Sequence, residues 1–449
     1  MAHVSLQDGI DEAGSPVELL WRREPLVWKG PVLPDEITGW QPEQSAAFET
    51  ASLSDLSHHM RDLWIAGPDA TKLLSDYTAN NYENFAVGQA KQLVPVTEQG
   101  WLIKDGILFR KGENSYVLTG VPTAGSWLQY QSQNDNYRVE FTDDPSSDHR
   151  HGDPVLFRYQ LQGPNALGIV ERAFGGPLPK TKFFHSVDVS LGGSHFKALR
   201  HGMSGQAGYE FFGDFADGQR VYAALMEAGH DLGVVEVGAL AYATNSVESG
   251  WVAAPMPGIY ADPALEPYRR WLSLFSMEGQ WGIYGSFFSP DIEDYYVSPY
   301  ELGYGRSISF NHDFLGRDAL EQASRDGVRR TKVTLEIDGN EVRGLFGDGD
   351  RYMMDNGCHR IECDGRLVGH TAQGTRVARL EKILWLSLIE NDYATPGTSV
   401  EIVFGNHPGV GTDPNADLGF PRIRATVQEA PYNAYARSSY RADTVPNGR

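Results

Sequence analysis

The stretch Leu199-Arg-His-Gly-Met-Ser-Gly-Gln-Ala-Gly-Tyr-Glu-Phe-Phe-Gly213 places Gly202, Gly205 and Gly208 just ahead of Tyr209 and Glu210. Glycine permits φ > 0 and lets a ligand approach the main chain closely. A carboxylate just past such a turn, at the mouth of an aromatic strand, can accept two parallel hydrogen bonds from a flat heterocycle. The plainer reading is a hairpin turn with a solvated glutamate. Asp105, in Leu102-Ile-Lys-Asp-Gly-Ile-Leu108, reads from its neighbours as a turn residue before glycine. His58 and His59 are adjacent, so on a strand they face opposite ways and only one enters a site. A two-histidine metal centre needs wider spacing or further ligands, so no metal is expected. Tyr242 and Trp251 lie at the two ends of an expected helix and its exit, where residue type alone makes them aromatic core.

These residues need elements to hold them. Prolines at 25, 31, 34 and 42 predict an irregular arm over residues 1–45. Residues 46–66 read as a short helix entering a strand, and 68–76 as a helix with Pro68 at its start. Three apolar stretches follow within 91–118, the last two joined by a hairpin turn at Gly112–Ser115. A helix is expected at 123–133, then a polar loop at 142–153 that marks a domain edge. Val155–Leu161 alternates as a strand and 164–174 as a helix, with strands at 183–200 and 207–213 flanking the glycine turn. Helices are expected at 217–229, at 236–249 with Gly238 interrupting only locally, and at 316–325. The aromatic insert at 255–298 suits an ordered lid or interface. From 330 short strands alternate with turns and no helix pattern is evident, as in an antiparallel barrel or sandwich. The tail after 430 is expected to be extended.

A chain of 449 residues is long enough for two or three domains. Net charge is −21, from 38 basic and 59 acidic residues, which argues against a nucleic acid partner because phosphate binding needs a basic surface. No apolar run reaches the ~18 residues needed to span a bilayer. The N-terminus lacks a basic stretch followed by an apolar one, so no signal peptide and a cytoplasmic location are expected. Cys358 and Cys363 are read as ordinary thiols. Oligomeric state is not legible.

Arg200–Glu210 resembles the pterin-binding turn of the aminomethyltransferase family, the glycine-cleavage T-protein and its relatives. Four further segments match in the same order: Leu161-Gln-Gly-Pro164, Val247-Glu-Ser-Gly-Trp251, Pro299-Tyr-Glu-Leu-Gly-Tyr-Gly305 and Phe314-Leu-Gly-Arg-Asp-Ala-Leu320. Ser57-His-His-Met60 and Ile292-Glu-Asp-Tyr-Tyr-Val297 resemble the branch of tetrahydrofolate-dependent aryl O-demethylases that act on vanillate, 3-O-methylgallate and syringate. The resemblance implies an α+β, three-domain cloverleaf around a central folate channel. It would combine a Greek-key unit and a split β-α-β unit, interleaved over 1–329, with a C-terminal antiparallel β-barrel over 330–449.

The resemblance also implies roles. Glu210 holds the pterin's amidine edge, with Arg200, Tyr209 and Gln162 near it and Trp251 packing against the ligands. Asp105 faces the reactive edge of tetrahydrofolate, His59 is the inward histidine, and Tyr242 lies beside the ether oxygen. The departures bear on substrate. The demethylases' acid-binding arginine is Val121 here, two arm tyrosines are Trp28 and Gly30, and a glutamine before the histidine pair is Leu56. Such a pocket suits a neutral aromatic, since a buried carboxylate would lack a partner. The expected function is one-carbon transfer from an aryl ether to tetrahydrofolate. The donor is first a methylenedioxyphenyl lignan such as sesamin, giving a catechol and 5,10-methylenetetrahydrofolate. The alternatives are O-demethylation of a neutral methoxy-aromatic, giving 5-methyltetrahydrofolate, and folate binding without turnover.

Overall fold

Polar residues at every second position of Leu156–Gln162 put Arg158, Gln160 and Gln162 on one face of a strand and Phe157, Tyr159 and Leu161 on the other. That strand sits inside a sheet whose apolar face is covered by helices and whose polar face looks into the middle of the molecule. A computed structural model describes residues 4–21, 30, 32–347 and 351–442.

The strands, in chain order, are β1 (Ala51–Asp55), β2 (Arg61–Ala66), β3 (Ala90–Leu93), β4 (Gly106–Gly112), β5 (Ser115–Gly120) and β6 (Glu140–Asp144). Then come β7 (Leu156–Gln162), β8 (Ser186–Leu191), β9 (Ser194–Leu199), β10 (Gly208–Asp214) and β11 (Val234–Val237). The last third of the chain holds β12 (Arg330–Ile337), β13 (Met354–Asp355), β14 (Arg360–Cys363), β15 (Arg366–Val377), β16 (Lys382–Glu390), β17 (Ser399–Val403) and β18 (Arg422–Gln428). They form three sheets. One is antiparallel, in the order β3-β4-β5-β2-β6, and a second runs β11-β1-β7-β10-β9-β8 with β1 and β11 parallel. In the third, β15 pairs with both β14 and β16, which closes six strands into a barrel and leaves β13 at its side. This is the expected α+β cloverleaf.

Helices Ala166–Phe174 and Phe215–Gly229 cover the apolar face of the second sheet, where Leu53, Phe157, Leu161 and Phe211 are buried. The first sheet packs Leu63, Ile65 and Leu118 against the helix Pro122–Asn134, with Trp127 fully buried between them.

Several elements differ from expectation. The arm is partly helical, with Leu6–Ala13 started by a Ser5/Asp8 capping box and Pro16–Leu20 capped by Ser15. Pro42 sits in the first turn of Trp40–Glu49, where no helical N–H is required. The stretch at 236–249 divides, because Val234, Val235 and Val237 pair with β1 and the helix begins only at Ala239. Gly238 marks the break, with its N–H on Glu43 Oε2, and a Cβ there would lie 2.7 Å from the Asp35 carbonyl oxygen. The barrel region contains a helix, Gly339–Phe346, capped by Asp338, and the tail contains another, Ala434–Ser438, capped by Asn433.

The insert at 255–298 is core rather than a lid. Tyr260, Tyr268, Tyr295 and Tyr296 are buried with Leu6 and Ile283. The Tyr296 hydroxyl accepts from the Tyr260 and Ala261 amides at 2.7 and 2.9 Å. Both cysteines are free, and among the described residues no helix is long and apolar enough to cross a membrane.

Candidate active site

The polar face of the second sheet is built by register. Glu210 lies opposite Gln160, and Gly208 opposite Gln162. On the other side of β7, Ser52 and Ser54 meet Gln162 and Gln160. Glu210 is buried, with Oε1 2.5 Å from Arg158 Nη1 and Oε2 3.4 Å from His201 Nδ1. Burial opposes its ionisation, yet the Arg158 and His201 charges and hydrogen bonds hold the carboxyl down at about 2. Arg158 turns its other end to Asp62 on β2 at 3.1 Å and to Thr119 Oγ1 on β5 at 3.1 Å. One guanidinium thus ties the first sheet to the second at the floor of the site.

The glycine turn folds over this face. Met203 donates its amide to Gln160 Oε1 at 3.0 Å, and Ser204 donates its amide and hydroxyl to Gln162 Oε1. The glycines admit neighbouring protein. A Cβ would lie 2.7 Å from the Gln206 carbonyl oxygen at Gly202, 2.7 Å from Ala436 Cβ at Gly205 and 2.0 Å from the Leu161 carbonyl oxygen at Gly208.

His59 and Tyr242 meet beside the turn, with Nε2 3.0 Å from the hydroxyl. Tyr242 also donates toward Met203 Sδ at 3.0 Å, and its ring packs with Leu56, Val237 and Ala241. Burial, with the Arg158 charge added, pushes His59 down to about 4, so its imidazole is neutral at pH 7. Burial raises the Tyr242 hydroxyl above its ordinary value, and Glu210 adds to the rise. Through Met203, whose amide bonds Gln160 opposite Glu210, the pair is linked to the face that carries Glu210.

Asp105 and Trp251 also come together. Trp251 Nε1 donates to Asp105 Oδ2 at 2.7 Å, joined there by Gln92 Nε2 at 2.9 Å and the Tyr304 hydroxyl at 3.3 Å. Oδ1 takes the Lys104 ammonium at 3.1 Å. Burial works against ionisation of Asp105, but Lys104 and the bonds from Trp251 and Gln92 hold its carboxyl below the usual range. The acid is fixed in place rather than a loose turn residue. From the barrel, Lys332 Nζ reaches the Leu302 carbonyl at 2.7 Å and the Gly250 carbonyl, next to Trp251.

Other expected residues fall elsewhere. Tyr209 alternates to the opposite face from Glu210 and packs among Leu161, Phe211 and Ile169, so it does not share the Glu210 side. Arg200 meets main-chain carbonyls, those of Thr181, Tyr440 and Ala442, rather than the Glu210 carboxylate. Val121 is half-buried and precedes the helix Pro122–Asn134. Arg61, across the sheet from Gly120, turns to the helix side, where it holds Asp143 and Gln129. Gly30 is half-buried between neighbours outside the described residues, and Trp28 lies outside them too. Sequence reasoning did not single out Arg158, Gln160 or Met203. The alternation of 158, 160 and 162 within an apolar strand was the available signal for the first two.

A pterin presents N–H and carbonyl groups along one flat edge. Glu210 offers an anionic acceptor to it. Gln162 Nε2, buried and without a partner among the described residues, offers a donor on the same face. The residues fit the cofactor.

Three sheets with a buried polar face at Glu210, Gln160 and Gln162 make up the fold, and comparison with known proteins gives its class, a tetrahydrofolate-dependent one-carbon transferase. Residues 25–255 match the GCVT N-terminal domain family. The chain is 36% identical over 456 residues to a syringate O-demethylase of Sphingobium sp., covering 97% of each chain. It is 26% identical to a sesamin methylene transferase of Sinomonas sp., over 89% of this chain and 90% of that one. It is also 26% identical to an aminomethyltransferase of Lysinibacillus sphaericus, over 82% and 87%. Among solved structures, the glycine cleavage aminomethyltransferase T of Bartonella henselae superposes with a TM-score of 0.62, covering 94% of this chain and 96% of that one at 16% identity. The protein belongs to the GCVT family, and its one-carbon carrier is tetrahydrofolate.

Proposed function

We propose that this enzyme transfers the carbon of an aryl ether to tetrahydrofolate, and that the donor is the O-methyl group of a methoxylated aromatic. The observation that carries the reading is the Tyr242–His59 pair, held among Leu56, Val237 and Met203 on the same side as Glu210. A phenolate is a poor leaving group, so the reaction needs a donor aimed at the departing oxygen and reactants held in line.

Bound tetrahydrofolate supplies the nucleophilic nitrogen that receives the carbon. The protein supplies the rest. Neutral His59 holds the Tyr242 ring in place. The Tyr242 hydroxyl, kept protonated by burial, donates to the ether oxygen as negative charge develops there. A thioether is a weak acceptor, so the proton now directed at Met203 Sδ exchanges readily for an oxygen. Glu210 and Gln162 orient the pterin, and Trp251, tethered by Asp105, closes one wall.

The likeness to a syringate O-demethylase, nearly end to end, favours a methoxy over a methylenedioxy donor and reverses the order in which the two stood from sequence alone. A methylenedioxy donor remains the second reading. Leu56 favours it, since the cluster around Tyr242 is apolar, and Arg61 is engaged on the far side of its sheet.

The test is incubation with tetrahydrofolate and a panel of methoxybenzoates, neutral methoxy-aromatics and methylenedioxy-aromatics. Formation of 5-methyltetrahydrofolate with a new phenol supports the first reading. A catechol with 5,10-methylenetetrahydrofolate supports the second. Turnover of none of these aromatics overturns both.

A further inference from the structure

We propose that the C-terminal segment is part of the cofactor site, and that Tyr440 is the residue that positions the glycine turn. The Tyr440 hydroxyl accepts from the Gly202 amide at 2.6 Å and donates to the Gly202 carbonyl at 2.6 Å. Both main-chain groups of one turn residue are therefore held by one side chain from the far end of the chain. Arg200 locks the segment from the other direction, donating through Nη2 to the Ala442 carbonyl at 2.6 Å and the Tyr440 carbonyl at 3.3 Å. Between these ties the short helix Ala434–Ser438 rests on Gly205, where only a hydrogen leaves room for Ala436.

The segment reaches the opposite wall as well. The Asn433 amide donates to the Glu248 carbonyl at 3.3 Å, and Pro431 packs on Gly250, the residue before Trp251. It therefore straps the glycine turn to the end of the helix that carries Tyr242.

The physical reason is conformational. A turn with three glycines in a short span has many accessible backbone states. The residues it positions, Met203 against Tyr242 and His201 against Glu210, are useful in one of them. Fixing Gly202 at both its donor and its acceptor selects that state before the cofactor arrives, which spares the ordering cost on binding. Tyr440 touches no reacting group, so its effect falls first on folate affinity and reaches the chemistry only through Met203 and Tyr242.

The proposal rests on the reading of Glu210 as the pterin's partner. Its test measures Tyr440→Phe and Glu210→Gln side by side in the full chain. The readouts are tetrahydrofolate affinity by calorimetry, KM for each substrate, kcat at saturating folate, and thermal unfolding. For Tyr440→Phe the expected result is folate affinity weaker by about tenfold or more, with aromatic KM unchanged and any fall in kcat at saturating folate much smaller than the fall in affinity. Wild-type folate affinity in Tyr440→Phe, with a loss in Glu210→Gln, overturns the strap while leaving the site reading intact. Wild-type affinity in both overturns the strap and the site reading together. Should Tyr440→Phe not fold, a chain ending at Ser439 decides. It keeps the Ala434–Ser438 helix, is expected to lose the same affinity, and overturns the proposal if it does not.

Discussion

Arg158 places a guanidinium nitrogen 2.5 Å from Oε1 of Glu210, with both side chains buried. The Glu210 carboxylate is thus an anion that the protein already meets on both oxygens, with Arg158 on Oε1 and His201 on Oε2. A pterin reaching it meets an acceptor whose charge is fixed and whose orientation is set by a residue on the neighbouring strand.

Glu210→Gln is expected to weaken tetrahydrofolate binding by about 1.5–3 kcal/mol, the range for hydrogen bonds to charged groups. Aromatic binding should change less. The measurement is calorimetric titration with each ligand, and equal losses for both would mean that Glu210 is not a cofactor contact.

Tyr242→Phe should lower kcat by about 10²–10⁴-fold, the usual range for a positioned acid–base group. Its aromatic KM should stay near wild type, because the hydroxyl acts on charge that develops only in the transition state. A fall in kcat of less than about threefold would make the residue a wall and turn attention to His59.

His59 supplies a pH dependence of stability. Its folded pKa, about 4, lies below the ordinary histidine value of 6.5. Between those values the unfolded chain binds a proton that the folded chain does not, so stability is full above pH 6.5 and falls as pH drops toward 4. The shift corresponds to about 3 kcal/mol. Urea unfolding of wild type and His59→Gln at several pH values should show the variant losing about one proton's worth of slope in that window. Parallel curves would contradict the burial of a neutral imidazole.

Asp105→Asn differs from Tyr242→Phe by striking the fold as well as the rate. It leaves the Lys104 ammonium, 2% exposed, without its ion-pair partner. Breaking a buried pair in this way costs about 3–5 kcal/mol. Chemical denaturation should register that loss, and an unchanged midpoint would mean that the pair contributes little.

Val121→Arg should damage turnover of a neutral aromatic, since it sets a cation beside an apolar surround. Any gain would appear on a methoxybenzoate, where the new charge has a partner. The comparison is kcat/KM of wild type and variant on one neutral and one acidic methoxy-aromatic. A wild-type preference for the acid would locate the acid clamp elsewhere in the fold.

Much of this architecture was legible. Motifs in register across the chain carried the cloverleaf, and strong alternation carried β7 and β10. Glu210 was recognisable because it follows a turn on a strand of clear period. Tyr209 was misplaced although the same alternation, applied one residue earlier, sends it to the other face. Val234–Val237 was absorbed into a helix because a four-residue parallel strand shows its identity only beside its partner β1. Arg158 was passed over because its role depends on Asp62 and Thr119 in a different sheet. The glycines were read as room for a ligand at the main chain, whereas what approaches them is protein, including Ala436 from the last part of the chain, which no local pattern reveals.

The parallel pairing of Ala51 with Val234 and the bond between Gly202 and Tyr440 together dictate an order of assembly. On the ribosome, β1 emerges early and can later pair with β7, but its other side stays open until the edge strand β11, from residue 234, has left the exit. The glycine turn waits longer still, until residue 440 has emerged. Closing contacts so far apart in sequence is slow, because loop entropy must be surrendered before they form. A chain short of residue 440 would thus hold Tyr242 without the last tie on the glycine turn.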